Sequence, residues 1–288
     1  LNDYGNSMVI EPGGRIVVAG NSTNLSSNSD FVVVRYNPNG SLDATFDSDG
    51  IVTTPLLGTD VALTVALQPD GKIIAGGYTQ VPWEISLALV RYGTQCPDTP
   101  TNTPTFTPTN TATTTNTATP TATWTPTSTA TNTPTPDPGR VPVTRGSLDT
   151  SFNGTGKVIT HIGGIADEAR SVAIQSDGKI VVVGSWYFGS TYRFALIRYN
   201  EDGTVDMSSI GTGAGYANSV AIQSDGRIVA AGYTINGSNG NDFALVRYNI
   251  DGTLDLSFNG TGKVITTIGA GDDQALAVAI QADGKIIA

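Results

Sequence analysis

An arginine and an aspartate recur at fixed positions along the chain, and together they could form either a catalytic pair or an ion pair. In three places the aspartate follows the arginine by eight residues: Arg35 and Asp43, Arg198 and Asp206, Arg247 and Asp255. Arg91 and Asp149 take the same positions but are separated by a long segment. Catalytic sites are rarely copied several times, whereas opposite charges facing each other across a hairpin stabilise it. The pattern therefore predicts structural ion pairs.

The other groups able to do chemistry lack the partners that they would need. His161 is the only histidine and Cys96 the only cysteine, so we take both as incidental and predict no catalytic triad and no zinc site. The acidic turn DSDG at 47–50 has neither further oxygen ligands at alternate positions nor the closing glutamate of a calcium loop. We therefore predict no catalytic residue, no metal and no cofactor.

Aromatic residues with polar neighbours form a second set of candidates, and they suit binding. The candidates lie in two short segments: Trp83, Glu84, Trp186, Tyr187, Phe188, Tyr192 and Arg193. Such rings stack on sugars or anchor a protein partner. The alternative is that they cover the edge of a sheet or contact further parts of the protein.

All of these residues are carried by an internal repeat, VAIQxDGKIxxxG followed by xALVRYN and GxLD. Five copies are marked by their turn glycines: Gly14, Gly71, Gly178, Gly226 and Gly284. A unit of this length cannot bury its apolar face alone, so neighbouring copies must stack. The recurring Phe46, Phe152 and Phe258 are predicted to lie in the core between stacked copies.

Each copy is predicted to form four short antiparallel strands. In one copy, residues 171–175, 179–184 and 194–200 alternate or are rich in Val and Ile around Asp-Gly turns. A fourth strand is predicted at 157–162 and 263–268 of sister copies. Four such strands make a propeller blade, so we predict an all-β propeller with about four blades and a partial fifth. A β-solenoid is the alternative.

Two departures from the repeat carry their own predictions. The third copy lacks the FNGTGKVIT element between Asp206 and Tyr216, which predicts a stunted outer strand.

The second copy is interrupted by a Thr/Pro-rich segment at 97–141, which separates blades at 1–96 from blades at 142–288 and is predicted to be disordered. The repeat resumes in phase at Gly146, which favours a loop within one propeller over a linker between two arrays. The segment is either an O-glycosylated stalk or an unglycosylated spacer.

Composition excludes several classes of partner. The net charge is −10, which argues against nucleic acid, and no apolar run is long enough to insert into a membrane. The single cysteine excludes a disulfide framework in this chain. The chain opens and closes inside a repeat, so we expect a fragment whose missing blades, from the same full-length protein, are its neighbours.

The strings DGKIVVVG, FALIRYNEDGTVD and SFNGTGKVIT resemble the delta-60 repeat family of bacterial proteins. The resemblance covers nearly all of the chain outside the Thr/Pro-rich segment. It implies propeller blades in a large protein that is secreted or displayed on the cell surface. It supplies no catalytic residues.

Function is expected where the copies differ. The variable loops are 21–30, 79–86, 185–193 and 233–242, and rigid scaffolds carry their binding residues on such loops. We expect a non-catalytic, extracellular scaffold that binds a protein or a glycan. One alternative is a structural spacer in an adhesin-like chain. The other is a polysaccharide-degrading propeller, with candidate carboxylates Asp167, Glu168, Asp272 and Asp273.

Overall fold

The computed structural model describes residues 2–24, 28–93, 146–235 and 240–288, which belong to one compact unit. The Thr/Pro-rich segment and Cys96 lie outside these residues. The described residues form strands, turns and irregular connections but no helix, and hence no helix that could cross a membrane. The prediction of an all-β fold is confirmed.

Seventeen strands are present in the described part of the chain: β1 (Asp3–Ile10), β2 (Ile16–Thr23), β3 (Ser29–Tyr36), β4 (Ile51–Thr54), β5 (Thr59–Leu67), β6 (Ile73–Val81), β7 (Glu84–Tyr92), β8 (Lys157–Thr160), β9 (Asp167–Ile174), β10 (Ile180–Phe188), β11 (Thr191–Tyr199), β12 (Val205–Ile222), β13 (Ile228–Ile235), β14 (Asn241–Tyr248), β15 (Lys263–Thr266), β16 (Ala279–Ile280) and β17 (Ile286–Ile287).

The strands pair with their sequence neighbours in antiparallel sheets, as predicted. Blade 1 is β1–β4 and blade 2 is β5–β8. Strands β9–β15 form one continuous sheet because the long strand β12 is shared. Its first half is the outer strand of blade 3, after β9–β11, and its second half is the inner strand of blade 4, before β13–β15. Strands β16 and β17 form a two-stranded sheet in the fifth copy, and we call this sheet blade 5.

The prediction of a stunted outer strand in the third copy is wrong. Strand β12 pairs with β11 from Val205, opposite Tyr199, to Ala214, opposite Arg193. The third copy is short because it lacks the loop that precedes the outer strand in its sister copies. The chain therefore runs from one blade into the next without leaving the sheet.

Blade 2 is completed by residues from both sides of the Thr/Pro-rich segment. Strand β7 pairs with β8 through Leu87 opposite Thr160 and Val90 opposite Lys157. At the base of the insertion, the Gly93 N–H donates to the Ser147 carbonyl and the Gly146 N–H donates to the Gly93 carbonyl, both at 2.9 Å. The two chain segments thus meet as the arms of a β-hairpin.

The apolar core lies between blades. Along β10, Ile180 and Val182 pack toward blade 2, whereas Val181 and Val183 pack toward blade 4. Successive side chains of a strand point to opposite faces, so a sheet covered on both sides needs a continuous apolar run. This requirement explains the IVVV sequence of the repeat.

The recurring phenylalanines follow the same arrangement. Phe46 and Phe152 are fully buried in the cores between blades 1 and 2 and between blades 2 and 3, which confirms the prediction for both. Phe258 is only partly buried, because blade 5 offers just a two-stranded sheet within the described residues.

The inner strands of blades 1 to 4 each contain a β-bulge that sequence analysis did not predict. In β5, for example, the pairing with β6 shifts between Ala62 and Thr64. A repeated glycine lies opposite the bulge: Gly20, Gly77, Gly184 and Gly232. A Cβ atom at these positions would lie 1.7–1.9 Å from a carbonyl oxygen of the inner strand. The glycine that ends the VVVG motif is therefore required by close backbone approach.

A repeated hydrogen bond joins the inner strands of successive blades. The backbone N–H of a valine donates to the hydroxyl of a Ser or Thr in the preceding blade, and we call this contact the hydroxyl–amide link. The four links are Val65 to Ser7 at 3.3 Å, Val172 to Thr64 at 3.2 Å, Val220 to Ser171 at 3.2 Å and Val278 to Ser219 at 3.1 Å.

Candidate functional site

The repeated arginines and aspartates form ion pairs at the end of each blade that carries the Asp-Gly turns, which we call the turn face. The arginine Nε and the aspartate Oδ2 are close in every blade: 3.0 Å for Arg35 and Asp43, 2.9 Å for Arg91 and Asp149, 2.6 Å for Arg198 and Asp206, and 2.7 Å for Arg247 and Asp255. In blades 1 and 2 both side chains are almost fully buried.

Three further groups complete this cluster. The cation after the Asp-Gly or Gly-Gly turn lies within 3.5 Å of the same aspartate: Arg15, Lys72, Lys179 and Arg227. A hydroxyl two residues beyond the aspartate, Thr45 in blade 1, donates to its other oxygen at 2.7 Å. The arginine stacks on the recurring phenylalanine, with the Arg35 guanidinium 4.6 Å from the Phe46 ring centre.

The environment keeps these carboxylates ionised. Burial is the largest influence and raises the pKa of Asp43, but hydrogen bonds from Thr45 and the charges of Arg35 and Arg15 together hold that pKa below its ordinary value of 3.8. The pKa of Asp149 is lowered in the same way. The ion pair and the second cation are common to the four clusters, whereas the stacked phenylalanine is present in blades 1, 2 and 4. The aspartates are bonded within the protein.

Aspartates at the connections between blades bind backbone amides. The N–H of Leu56 donates to Asp60 at 2.6 Å, that of Ile162 donates to Asp167 at 2.7 Å, and that of Ile268 donates to Asp273 at 2.7 Å. Two carboxylates that we considered for catalysis, Asp167 and Asp273, thus share the role of fixing the turn before an inner strand.

The opposite end of the blades, the loop face, differs between copies at equivalent positions. The first residue before the bulge is Tyr4, Val61, Glu168 or Tyr216 in blades 1 to 4, and the residue paired with it is Asn21, Tyr78, Ser185 or Tyr233. Only blade 4 has a tyrosine at both positions. The variation occurs directly beside the repeated glycine and bulge, so the backbone that presents these side chains is constant.

Four tyrosines of blades 3 and 4 form a continuous row. Ring centres are 4.8 Å apart for Tyr187 and Tyr192, 4.6 Å for Tyr192 and Tyr216, and 5.0 Å for Tyr216 and Tyr233. These separations are typical of favourable aromatic pairs. All four residues are partly exposed. We call them the tyrosine row.

Charged groups lie against the row. The Arg170 guanidinium is 5.0 Å from the centre of the Tyr216 ring, and its Nη2 donates to Glu168 at 3.0 Å. Its Nε has no hydrogen-bond partner among the described residues. Burial, reinforced by neighbouring Tyr192 and Tyr233, raises the pKa of Tyr216, so its phenol stays protonated at neutral pH.

The predicted binding residues are divided between two sides of blade 3. Tyr187 and Tyr192 belong to the row, whereas Trp186 stacks on Phe188 at 5.2 Å. The Arg193 guanidinium lies 5.9 Å and 5.6 Å from the centres of the Trp186 and Phe188 rings. Because alternate residues of a strand face opposite sides, adjacent residues of this hairpin serve different surfaces.

The other two candidates lie on blade 2. Trp83 is 90% exposed at the tip of the hairpin between β6 and β7. Glu84 accepts a hydrogen bond from Ser86 and lies 3.0 Å from Nδ1 of His161, which is also 3.4 Å from Asp167. His161, taken as incidental from the sequence, therefore contacts two carboxylates. Within the residues that the structure describes, no group of His, Cys, Asp or Glu is arranged to hold a metal.

Sequence analysis missed three residues of the loop face: Tyr78, Arg170 and Tyr216. It considered Glu168 only as a catalytic carboxylate, and it included Tyr233 only as the first residue of a variable loop. An alignment of the four strings YGNS, VALT, EARS and YANS could have found them, because the first and third positions differ most between the copies. Their convergence depends on how blades stack, which a single copy does not reveal.

The family comparison agrees with the architecture. A family model described as "Domain of unknown function (DUF5122) beta-propeller" matches residues 12–46, 68–94, 175–208 and 223–258. The matched segments coincide with four copies of the repeat. The match supports a β-propeller repeat in these segments, which together make up less than half of the chain.

Two proteins of known structure are similar to the chain at low sequence identity. A protein of unknown function from Dyadobacter fermentans has 13% identity and a TM-score of 0.44, with 97% of this chain and 72% of that chain covered. Sqt1 from Chaetomium thermophilum has 11% identity and a TM-score of 0.32, with 96% and 75% covered. The same values, with 78% of that chain covered, hold for Sqt1 bound to the N-terminus of ribosomal protein L10. No curated protein matches this chain.

Proposed function

We propose that this chain is a non-catalytic, extracellular repeat scaffold that binds a protein or a glycan through its loop face, with the tyrosine row at the centre of the contact. One observation carries the proposal. Four partly exposed tyrosines and Arg170 are in continuous contact at positions where otherwise similar blades differ.

The chemistry of the row suits recognition of a polar macromolecule. Tyrosine offers a large, rigid and amphipathic contact area at low cost in conformational entropy. The tyrosine rings contact one another, and their edges and hydroxyl groups are available to a ligand. The pKa values of Tyr216 and Tyr233 are raised, so both phenols are protonated and can donate hydrogen bonds. Arg170 adds an unpartnered N–H beside the row.

The arrangement of the carboxylates supports a non-catalytic role. Asp167 and Asp273 accept backbone N–H groups, and Glu168 is paired with Arg170. The negative net charge and the Thr/Pro-rich segment support an extracellular location. Assignment to the delta-60 repeats, with the secreted or cell-surface location that it implies, is part of the same proposal.

A structural spacer is the second candidate. It is favoured by the hydroxyl–amide links, which recur between every pair of successive blades from 1 to 5 in the described residues. A spacer would need this stacking but would have no use for the tyrosine row.

An array of glycans and extracellular-matrix proteins tests the proposal. The probe is the full chain, compared with Tyr216→Ala and with Tyr4→Ala, which changes the same repeat position in blade 1 and is 54% exposed. We expect a ligand whose affinity falls at least about tenfold in Tyr216→Ala, as for an interface hot spot, and stays unchanged in Tyr4→Ala. Equal losses would mean that the tyrosine row is not the centre of the contact, and the absence of any ligand for the folded protein would favour the spacer. Hydrolysis of an arrayed polysaccharide would revive the enzyme alternative.

A further inference from the structure

The contacts within the tyrosine row leave ring edges and hydroxyl groups, rather than open ring faces, for a ligand. The ring centre of Tyr216 lies 4.6 Å from that of Tyr192, 5.0 Å from that of Tyr233 and 5.0 Å from the Arg170 guanidinium. The interplanar angles of the two ring pairs are 33° and 28°, so these rings meet face to face rather than edge to face. The faces of Tyr216 are therefore largely taken up by contacts within the protein.

This geometry suits a polypeptide better than a saccharide. A sugar packs the C–H groups of its ring against an open aromatic face, and the contacts around Tyr216 leave little of such a face. A phenol hydroxyl donates one hydrogen bond and accepts others, and the backbone of an extended peptide presents both N–H and C=O groups. The partly exposed hydroxyl groups of the row therefore match a peptide backbone.

An exposed carboxylate lies at one end of the row. Asp272 accepts the N–H of Asn241 at 2.8 Å, and Asn241 pairs with Ile235 across β13 and β14. Ile235 is two residues beyond Tyr233, so the two side chains lie on the same surface of the sheet. Burial raises the pKa of Tyr233, and the charge of Asp272 adds to this effect, so the carboxylate acts on the ring. Its hydrogen bond to a neutral backbone group leaves Asp272 without a counterion among the described residues.

The charges around the row favour a basic partner. Arg170, the cation that contacts the row, donates to Glu168 at 3.0 Å, so these two charges compensate each other. Asp272 adds a negative charge, and the whole chain has a net charge of −10. Complementary charges speed the encounter of two partners, whereas like charges exclude the wrong partner. A Lys or Arg side chain would gain an ion pair at Asp272, and an acidic polysaccharide would be repelled there.

We propose that the tyrosine row binds an extended, basic segment of a protein. A Lys or Arg side chain of the segment pairs with Asp272, and the backbone N–H and C=O groups of the segment form hydrogen bonds with the hydroxyl groups of the row. The partner class is assigned to the same surface, and it therefore rests on the proposed function of the loop face.

Arrays of synthetic peptides and of glycans, probed with the full chain, test the partner class. The peptides form three sets of equal length, in which the same positions hold Lys and Arg, Gln and Ser, or Asp and Glu. We expect the chain to bind members of the basic set and to bind neither the acidic peptides nor the glycans. The affinity for the basic peptides should fall as the salt concentration rises, because salt screens exposed ion pairs.

Two charge variants and a matched control locate the contact. Asp272→Asn should lower the affinity for the best basic peptide about two- to fivefold, the range of an exposed ion pair. Asp272→Lys adds repulsion and should lower that affinity at least about tenfold. Asp251→Asn removes another exposed carboxylate of blade 4, on the turn face, and should leave the affinity unchanged. Asp251 accepts hydrogen bonds from Thr253, which asparagine can also accept.

Failure of the basic partner can be told apart from failure of the proposed function. A glycan whose binding is lost in Tyr216→Ala would overturn the basic partner and leave the proposed function in place. A peptide that depends on Tyr216 but binds Asp272→Lys with unchanged affinity would do the same. A folded protein that binds nothing, or whose ligand is indifferent to Tyr216→Ala, would refute the proposed function of the row and the basic partner with it.

Discussion

The two ends of the blades differ in how strictly their residues recur from copy to copy. On the turn face, each of blades 1 to 4 has the same ion pair between an arginine and an aspartate, such as Arg35 and Asp43 in blade 1. On the loop face, the position before the bulge changes from Val61 to Glu168 to Tyr216 in successive blades. Repetition therefore identifies the residues that stabilise each blade, and divergence identifies the residues free to take up recognition.

Burial explains why one end tolerates change and the other does not. Arg35 and Asp43 are 1% and 3% exposed, so losing either partner leaves a charge in a poorly solvated site. The residues of the tyrosine row are partly exposed, and water replaces a contact that is lost there. Substitution on the loop face consequently costs little folding free energy.

The largest effect is expected for arginine substitutions at the two ends. Arg35→Ala leaves Asp43 buried without its main partner and should lower the free energy of unfolding by about 3–5 kcal/mol. Arg170→Ala removes a side chain that is 36% exposed, and the loss should stay below about 1 kcal/mol. Urea unfolding followed by circular dichroism measures both. Similar losses of unfolding free energy in the two variants would contradict the view that the turn face stabilises the blades more than the loop face does.

A glycine pair sharpens the comparison at the bulge. A Cβ at Gly77 would lie 1.9 Å from the Val61 carbonyl oxygen, so Gly77→Ala must displace backbone and should cost about 1–3 kcal/mol. Gly269 has no heavy atom within 4 Å of its added Cβ, and Gly269→Ala should change stability by less than about 0.5 kcal/mol. An innocuous Gly77→Ala in the same unfolding assay would mean that the bulge adjusts freely.

The turn face was largely predictable from sequence, and the loop face was not. Arg35 and Asp43 are eight residues apart within one hairpin, so their pairing follows from local strand geometry. Tyr192 and Tyr216 belong to different copies and meet through the stacking of blades. His161 likewise meets Glu84 across the Thr/Pro-rich insertion.

The wrong prediction for the third copy has a related cause. A missing motif between Asp206 and Tyr216 suggested a missing strand, but backbone hydrogen bonds do not depend on that motif. Residues rich in Gly and Ser still pair with β11 there, because the neighbouring strand supplies the partners. Sequence patterns predict side-chain packing better than they predict the extent of backbone pairing.

Acid should destabilise the protein through the turn face. The pKa values of Asp43 and Asp149 are lower in the folded state than their ordinary value of 3.8. Their contribution is complete above that value and is lost as the pH falls through the lowered folded values. Urea midpoints should therefore decrease between about pH 5 and about pH 3.

The variant Asp43→Asn isolates this contribution. Its stability should be lower at neutral pH and should depend less on pH in the acid range, because one of the carboxylates responsible has been removed. Asp167 serves as the contrast, since burial raises its pKa and its protonation on acidification opposes the loss. If the wild-type midpoint did not change with pH, the ionised aspartates would not be stabilising.

The smallest effect is expected for removal of the Thr/Pro-rich segment. Gly93 exchanges hydrogen bonds with Gly146 and Ser147, so replacing residues 97–141 by Asn-Gly leaves a short loop between two arms that are already paired. Stability should rise by about 1–2 kcal/mol, because the entropic cost of closing a loop grows only with the logarithm of its length. Loss of cooperative unfolding would instead indicate that the segment joins two separate arrays.

The hydroxyl–amide links run in one direction along the stack of blades, and every junction between successive blades is made in the same way. Each inner strand from blade 2 to blade 4 both donates to the preceding blade and accepts from the following one, as Thr64 and Val65 do. A whole copy can therefore be duplicated, deleted or exchanged in evolution without the loss of a bond at either junction. The fifth copy has Ala277 at the position of the Ser or Thr whose hydroxyl accepts the hydrogen bond. A blade stacked after it would therefore lack this link and would need other contacts.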